Sequence, residues 1–77
     1  MYTRNIKLTT INNVRDFVDD VNKFDEDVDI SVGTYVIDAK SIMGIFSLDL
    51  SHELSLTVHA PEETCERFDR IIGKYYI

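Results

Sequence analysis

Glu53-Leu54-Ser55-Leu56-Thr57-Val58-His59 alternates apolar and polar residues without a break. That period of two predicts a strand with Leu54, Leu56 and Val58 buried on one face and the other face solvated. Upstream, Val28, Ile30 and Val32 alternate with Asp29 and Ser31, Gly33-Thr34 supplies a turn, and Tyr35-Val36-Ile37 resumes a β-rich run. This predicts a hairpin. Ile6-Lys7-Leu8-Thr9 has the same alternation and is expected to be a half-buried strand.

The intervening segments carry helical periods. Val14, Phe17, Val18 and Val21 recur at i, i+3, i+4 and i+7, which puts them on one buried stripe with Asp16, Asp19 and Asp20 facing away. Asn13 is the expected N-cap of that helix. In Lys40-Ser41-Ile42-Met43-Gly44-Ile45-Phe46-Ser47-Leu48, Ser41 can cap a short helix that is not stable alone. The last segment opens with Pro61 and the acids Glu62, Glu63 and Glu66, and ends with Arg67, Arg70 and Lys74, as the helix dipole favours. Glu63 with Arg67, and Glu66 with Arg70, have the spacing of i, i+4 ion pairs. Cys65, Phe68, Ile72 and Tyr75 form the expected inner stripe; Gly73 weakens the helix end, so residues 74–77 are expected to fray or turn away. The order β-α-β-β-α-β-α implies an α+β fold, one antiparallel or mixed four-stranded sheet with helices on one face. No linker or repeat interrupts it, so residues 1–77 read as a single domain.

The chain has 77 residues, 14 acidic and 8 basic, for a net charge of −6, with 44% hydrophobic residues. A chain of this size buries about 60% of its unfolded surface, which allows one small core and excludes a two-domain enzyme. Residues 16–29 hold seven acids (Asp16, Asp19, Asp20, Asp25, Glu26, Asp27, Asp29) against Lys23, and so supply the whole excess. Such a patch repels phosphate backbones and anionic headgroups, which counts against nucleic acid and membranes as partners. The single cysteine, Cys65, can form neither an intrachain disulfide nor a cysteine-based zinc site. With no long apolar run and no signal-like segment behind Met1, the expectation is a soluble cytoplasmic protein beginning at its own initiator methionine.

Residues 24–58 resemble the histidine-containing phosphocarrier HPr of the bacterial sugar phosphotransferase system. The closest correspondence is Lys40-Ser41-Ile42-Met43-Gly44 followed by Ile45-Phe46-Ser47-Leu48. In that family a K-S-I-M-G run opens the short middle helix, and its serine is the regulatory phosphorylation site. The resemblance implies an open-faced β-sandwich with a four-stranded antiparallel sheet and three helices, carrier rather than enzyme activity, and no cofactor. It also exposes a departure. The family's phosphoaccepting histidine opens the first helix in an H-A-R-P-like motif, whereas this chain reads Thr9-Thr10-Ile11-Asn12-Asn13-Val14-Arg15-Asp16 and is shorter there by about two or three residues. The histidine position falls on Thr10, Asn12 or Asn13, none of which offers a nitrogen nucleophile that holds a labile phosphoryl group. Arg15 can match the family arginine, but Asp16 then replaces its proline.

The resemblance makes Ser41 the candidate for regulatory phosphorylation, with Lys40 as a nearby cation, against the plain reading that Ser41 only caps a helix. Lys40, Ile42, Met43 and Phe46 are candidate docking residues for a protein partner, a phosphotransferase component or an HPr kinase, against the alternative that the apolar ones close the core. His52 and His59 are the only imidazoles for an atypical carrier, and solvated surface histidines are the alternative. A structural or oligomerising domain unrelated to sugar uptake is the third reading. Asp25, Asp27 and Asp29 alternate like the start of a calcium loop, but Ile30 and Val36 stand where the loop needs glycine and glutamate, so no metal is expected. The acids of the first helix further imply a partner that is cationic opposite that face, or one that docks on the middle helix alone.

Overall fold

A computed structural model describes the whole chain, Met1–Ile77. Its elements are β1 (Tyr2–Ile6), α1 (Ile11–Val21), β2 (Asp27–Val32), β3 (Tyr35–Asp38), α2 (Ile42–Phe46), β4 (Leu54–His59) and α3 (Cys65–Ile72). Single 3-10 turns, Glu62–Thr64 and Gly73–Tyr75, flank α3. The strands form one antiparallel sheet in the order β1-β4-β2-β3, so β4, the strand with the cleanest alternation, lies between β1 and β2. Leu54, Leu56 and Val58 are buried beside Val28 and Ile30, and Ser55, Thr57, Ser31 and Asp29 line the open face. Gly33 joins β2 to β3 with φ +59°, where a residue with a Cβ is strained. The α+β, open-faced architecture is thus as expected.

α1 lays Val14, Phe17, Val18 and Val21 on the inner face of the sheet, and α3 adds Phe68 and Ile72. Each large apolar side chain so buried contributes roughly 1.5–3 kcal/mol against exposure to water. α2 contributes one fully buried side chain, Ile45, while Ile42 packs partly against the same core.

Several local expectations are corrected. The first strand spans Tyr2–Ile6 instead of Ile6–Thr9, because its partner β4 begins at Leu54, opposite Ile6. Beyond that point Lys7 N donates instead to the Tyr75 carbonyl at 3.1 Å, although Leu8 remains buried. Residues 74–77 dock rather than fray: Tyr76 bridges to Ile6, and Ile77 N donates to the Asn5 carbonyl. Tyr75 is buried edge-on to Phe17, with ring centroids 5.2 Å apart.

Asp20 does not face away from the core. Only 7% exposed, it accepts from the Tyr75 hydroxyl at 2.9 Å and lies 3.0 Å from Lys23 Nζ and 3.2 Å from Lys74 Nζ. Burial alone raises a carboxylate's pKa, but the hydrogen bonds from Lys23, Tyr75 and Lys74 outweigh it and hold Asp20 below its ordinary value. Burial, and then the Asp20 carboxylate, push the Tyr75 hydroxyl well above its ordinary pKa.

Arg67 does not pair with Glu63. Glu63 lies in the 3-10 turn before α3, out of α-helical register, and Arg67 instead reaches Glu26 at 2.5 Å while its guanidinium covers the Phe24 ring. The Glu66–Arg70 pair is present at 3.8 Å with both ends exposed, and contributes little. Cys65 is only half-buried, at the margin of the α3 stripe.

Candidate functional site

The two helices that carry the candidate residues begin in the same way. At α1, Thr10 Oγ1 accepts from Asn13 N at 3.0 Å, while Asn13 Oδ1 accepts from Thr9 N at 3.1 Å. Thr10 is therefore the N-cap, and Asn13, expected in that role, is the third helical residue that answers it in a reciprocal, capping-box-like pair. The local reason is short reach: an asparagine oxygen one turn into the helix can return to the amides ahead of the cap. Ile11, Asn12 and Arg15 stand exposed around this start. At α2, Ser41 Oγ accepts from Gly44 N at 3.1 Å, as expected of a cap.

α2 is seated by a set of polar contacts that the sequence did not reveal. Lys40 N donates to Asp38 Oδ1 and Ser41 N to the Asp38 carbonyl, which ties the start of α2 to the end of β3. Lys40 Nζ donates to the Phe24 carbonyl at 2.6 Å, so this ammonium, expected beside Ser41, is engaged by main chain instead. Asn22, just past the end of α1, donates to Val18 O at 2.8 Å and to Lys40 O at 3.4 Å. Gly44 is a further residue of consequence. A Cβ there would lie 3.2 Å from Ser41 Oγ and 3.4 Å from Ile37 Cδ1, so a larger residue would press on the serine cap, which would have to give by a few tenths of an ångström. A glycine inside a short helical segment was the available signal.

The Asn22–Lys40 contact puts Ser41 at the far end of α1 from Thr10. Eleven residues of helix at about 1.5 Å each span roughly 16 Å, so Ser41 and the group Thr10, Asn12, Asn13 and Arg15 form two separate locations. Around Ser41 the apolar candidates divide. Met43 is 76% exposed and Phe46 41%, whereas Ile42 is half-buried.

Neither histidine lies at a helix start. His52 Nε2 is 3.3 Å from Asp49 Oδ2 in the exposed segment before β4, and Ser51, through its hydroxyl and amide, holds the Asp49 carboxyl below its ordinary pKa. His59 ends β4 on the open face, its Nε2 2.6 Å from Asp29 Oδ2, and does not cap α3. No set of three or more His, Cys, Asp or Glu side chains is arranged to hold a metal ion.

A family described as "PTS HPr component phosphorylation site" matches residues 11–71, from the first residue of α1 into the last turn of α3. The chain belongs to this HPr family. HPr proteins are phosphocarriers of the phosphotransferase system and not enzymes in their own right. The fold agrees with solved HPr structures. HPr-C-His from Thermoanaerobacter tengcongensis is 26% identical with a TM-score of 0.76, covering 96% of this chain and 93% of the other. The phosphocarrier protein HPr from Bacillus anthracis is 20% identical with a TM-score of 0.71, covering 96% and 95%. No curated protein matches the chain. No helix is long and apolar enough to cross a membrane.

Proposed function

We propose that this chain is a regulatory, cytoplasmic HPr-like protein that has given up phosphoryl transfer at the start of α1 and acts through α2, with Ser41 as its phosphorylation switch. The observation that carries this reading is the pairing of the Ser41 cap, at 3.1 Å from Gly44 N, with exposed Met43 and Phe46 on the same short helix. A phosphate on Ser41 Oγ adds up to two negative charges where α2 amides are free to bind them, beside the apolar surface a partner would cover. Lys40 would first have to leave the Phe24 carbonyl to join it. At the start of α1, by contrast, Thr10, Asn12 and Asn13 supply no imidazole, and the carboxylate of exposed Asp16 opposes a phosphoryl group.

The test pairs two labelling reactions read by intact mass. With an HPr kinase and ATP, the wild type is expected to gain one phosphate and Ser41→Ala none; an unlabelled wild type removes the switch. With phosphoenolpyruvate and the first enzyme of the system, no adduct is expected. An acid-labile adduct lost in His59→Ala or His52→Ala would instead establish an atypical carrier. His59 is disfavoured for that role because it faces away from all three helices and is bonded to Asp29.

A further inference from the structure

The two edges of the sheet are unequal. The C-terminal end of β1 is covered by the Ile6–Tyr76 bridge and the Ile77–Asn5 hydrogen bond, whereas β3 pairs with β2 on one side and has no strand on the other. β3 carries none of the lysines or prolines that usually protect a free edge. Beside the Tyr35–Ile37 part of this strand, on the helix-side face of the β2–β3 hairpin, opens a groove of about 780 Å³, bounded on the far side by residues 47–49 and His52. Val32, Ile37 and Leu48 give the groove apolar walls, and Tyr35 stands 72% exposed at its rim. Neither Ser41, Met43, Phe46 nor any residue of α1 lines it, so it lies apart from the surface invoked above.

We infer that this edge and groove accept an extended peptide segment of alternating apolar and basic residues, added to the sheet as a fifth strand beside β3. The alternation follows from the period of a strand. Side chains of an added strand that fall on the helix side meet Tyr35, Ile37 and Leu48 and must be apolar. Those that fall on the open face meet Val36 and Asp38; Asp38 stands directly across from Asp29, and of the two carboxylates only Asp29 has a basic side chain on it, His59. The charged groups lining the groove itself are Asp49 and its neighbour His52. Basic residues on the open face complement Asp38 and Asp29, and the −6 of the whole chain draws them in. A second copy of this chain fits badly, because it would bring its own −6 and set Asp38 and Asp49 against their equivalents.

The experiment titrates isotope-labelled protein with three capped hexapeptides: alternating lysine and valine, the same six residues as a lysine block followed by a valine block, and alternating glutamate and valine. The alternating lysine–valine peptide is expected to bind about tenfold more tightly than either of the others. Its shift changes should fall on residues 33–38 and 47–52. Asp38→Asn and Tyr35→Ala, both at exposed positions that leave the core intact, should each weaken it about threefold or more. Equal affinity for the alternating and block peptides, or shifts centred on Asp16 and Asp19, would reduce the effect to charge attraction and overturn the inference. Sedimentation of the free protein as a dimer that Val36→Lys dissociates would overturn it too, by making a second copy the occupant.

Discussion

α1 and α2 start with the same device, a hydroxyl that accepts from the amide three residues on, yet they are held in place very differently. α1 has eleven residues, four apolar side chains on its buried stripe and Asp20 locked to Tyr75, Lys23 and Lys74 at its far end. α2 has five residues and one fully buried side chain, Ile45; the rest of its seat is half-buried Ile42 and polar contact through Ser41, Lys40 and Asp38. The contrast teaches that a charge placed at the cap of α2 acts on an element with few other supports. The cap of α1 belongs to an element that the core already holds.

The largest effect expected is from Ile45→Ala, which empties the single core position of α2 and should cost about 3 kcal/mol in a urea titration. If the loss were much smaller, α2 would be seated by its polar contacts instead. Next comes the anchor of α1. Asp20→Ala leaves the buried Tyr75 hydroxyl without its acceptor, and is expected to cost about 2 kcal/mol. The sign with pH follows from the lowered carboxyl: its stabilisation is complete above the ordinary aspartate range near about pH 4, and is lost as pH falls through the lower folded value. Wild type should therefore lose more stability than Asp20→Asn between neutral pH and strong acid, as urea midpoints at the two conditions will read.

The caps come third. Thr10→Ala and Ser41→Ala should each cost about 1 kcal/mol, as cap removals commonly do. Their local consequences should differ, with Ser41→Ala raising amide exchange across residues 42–46 well above the global rate and Thr10→Ala leaving residues 14–21 protected. Equal local loosening in both would erase the contrast drawn here. The smallest effect is from Met43→Ser, within about 0.5 kcal/mol because the side chain is already exposed; a protein partner that docks on α2 should nonetheless lose affinity for this variant.

Much of this was legible along the chain. Strands β2 and β4 announce themselves by a period of two, and the Lys40–Gly44 run pointed to the family through a segment whose cap is local: Ser41 and Gly44 are three residues apart, and geometry that close is written in sequence. Asn13 was legible as a capping residue but not as which member of the pair, since Thr10 and Asn13 can each serve one end of a helix. Asp20 was misplaced for a different reason. It borders the apolar stripe next to Val21, and a residue at a stripe's margin turns in or out according to what waits there. Tyr75, 55 positions later, supplies both a ring against Phe17 and a hydroxyl for the carboxylate. Arg67 likewise had a correctly spaced Glu63 and chose Glu26, 41 residues away, because the turn before α3 is 3-10.

The sequence by itself determined the order of the elements, the inward faces of β2 and β4, the apolar stripe of α1, the cap of α2 and the acidic excess, since each depends on neighbours within a turn or two of chain. Tertiary structure alone decided that residues 74–77 cover the end of β1 and leave β3 open, that Lys40 serves the Phe24 carbonyl, and that one aspartate of the acidic helix is an anchor while Asp16 and Asp19 are surface. Those choices rest on contacts between residues 16 to 72 positions apart, whose free energies depend on which partners the fold brings within hydrogen-bonding distance.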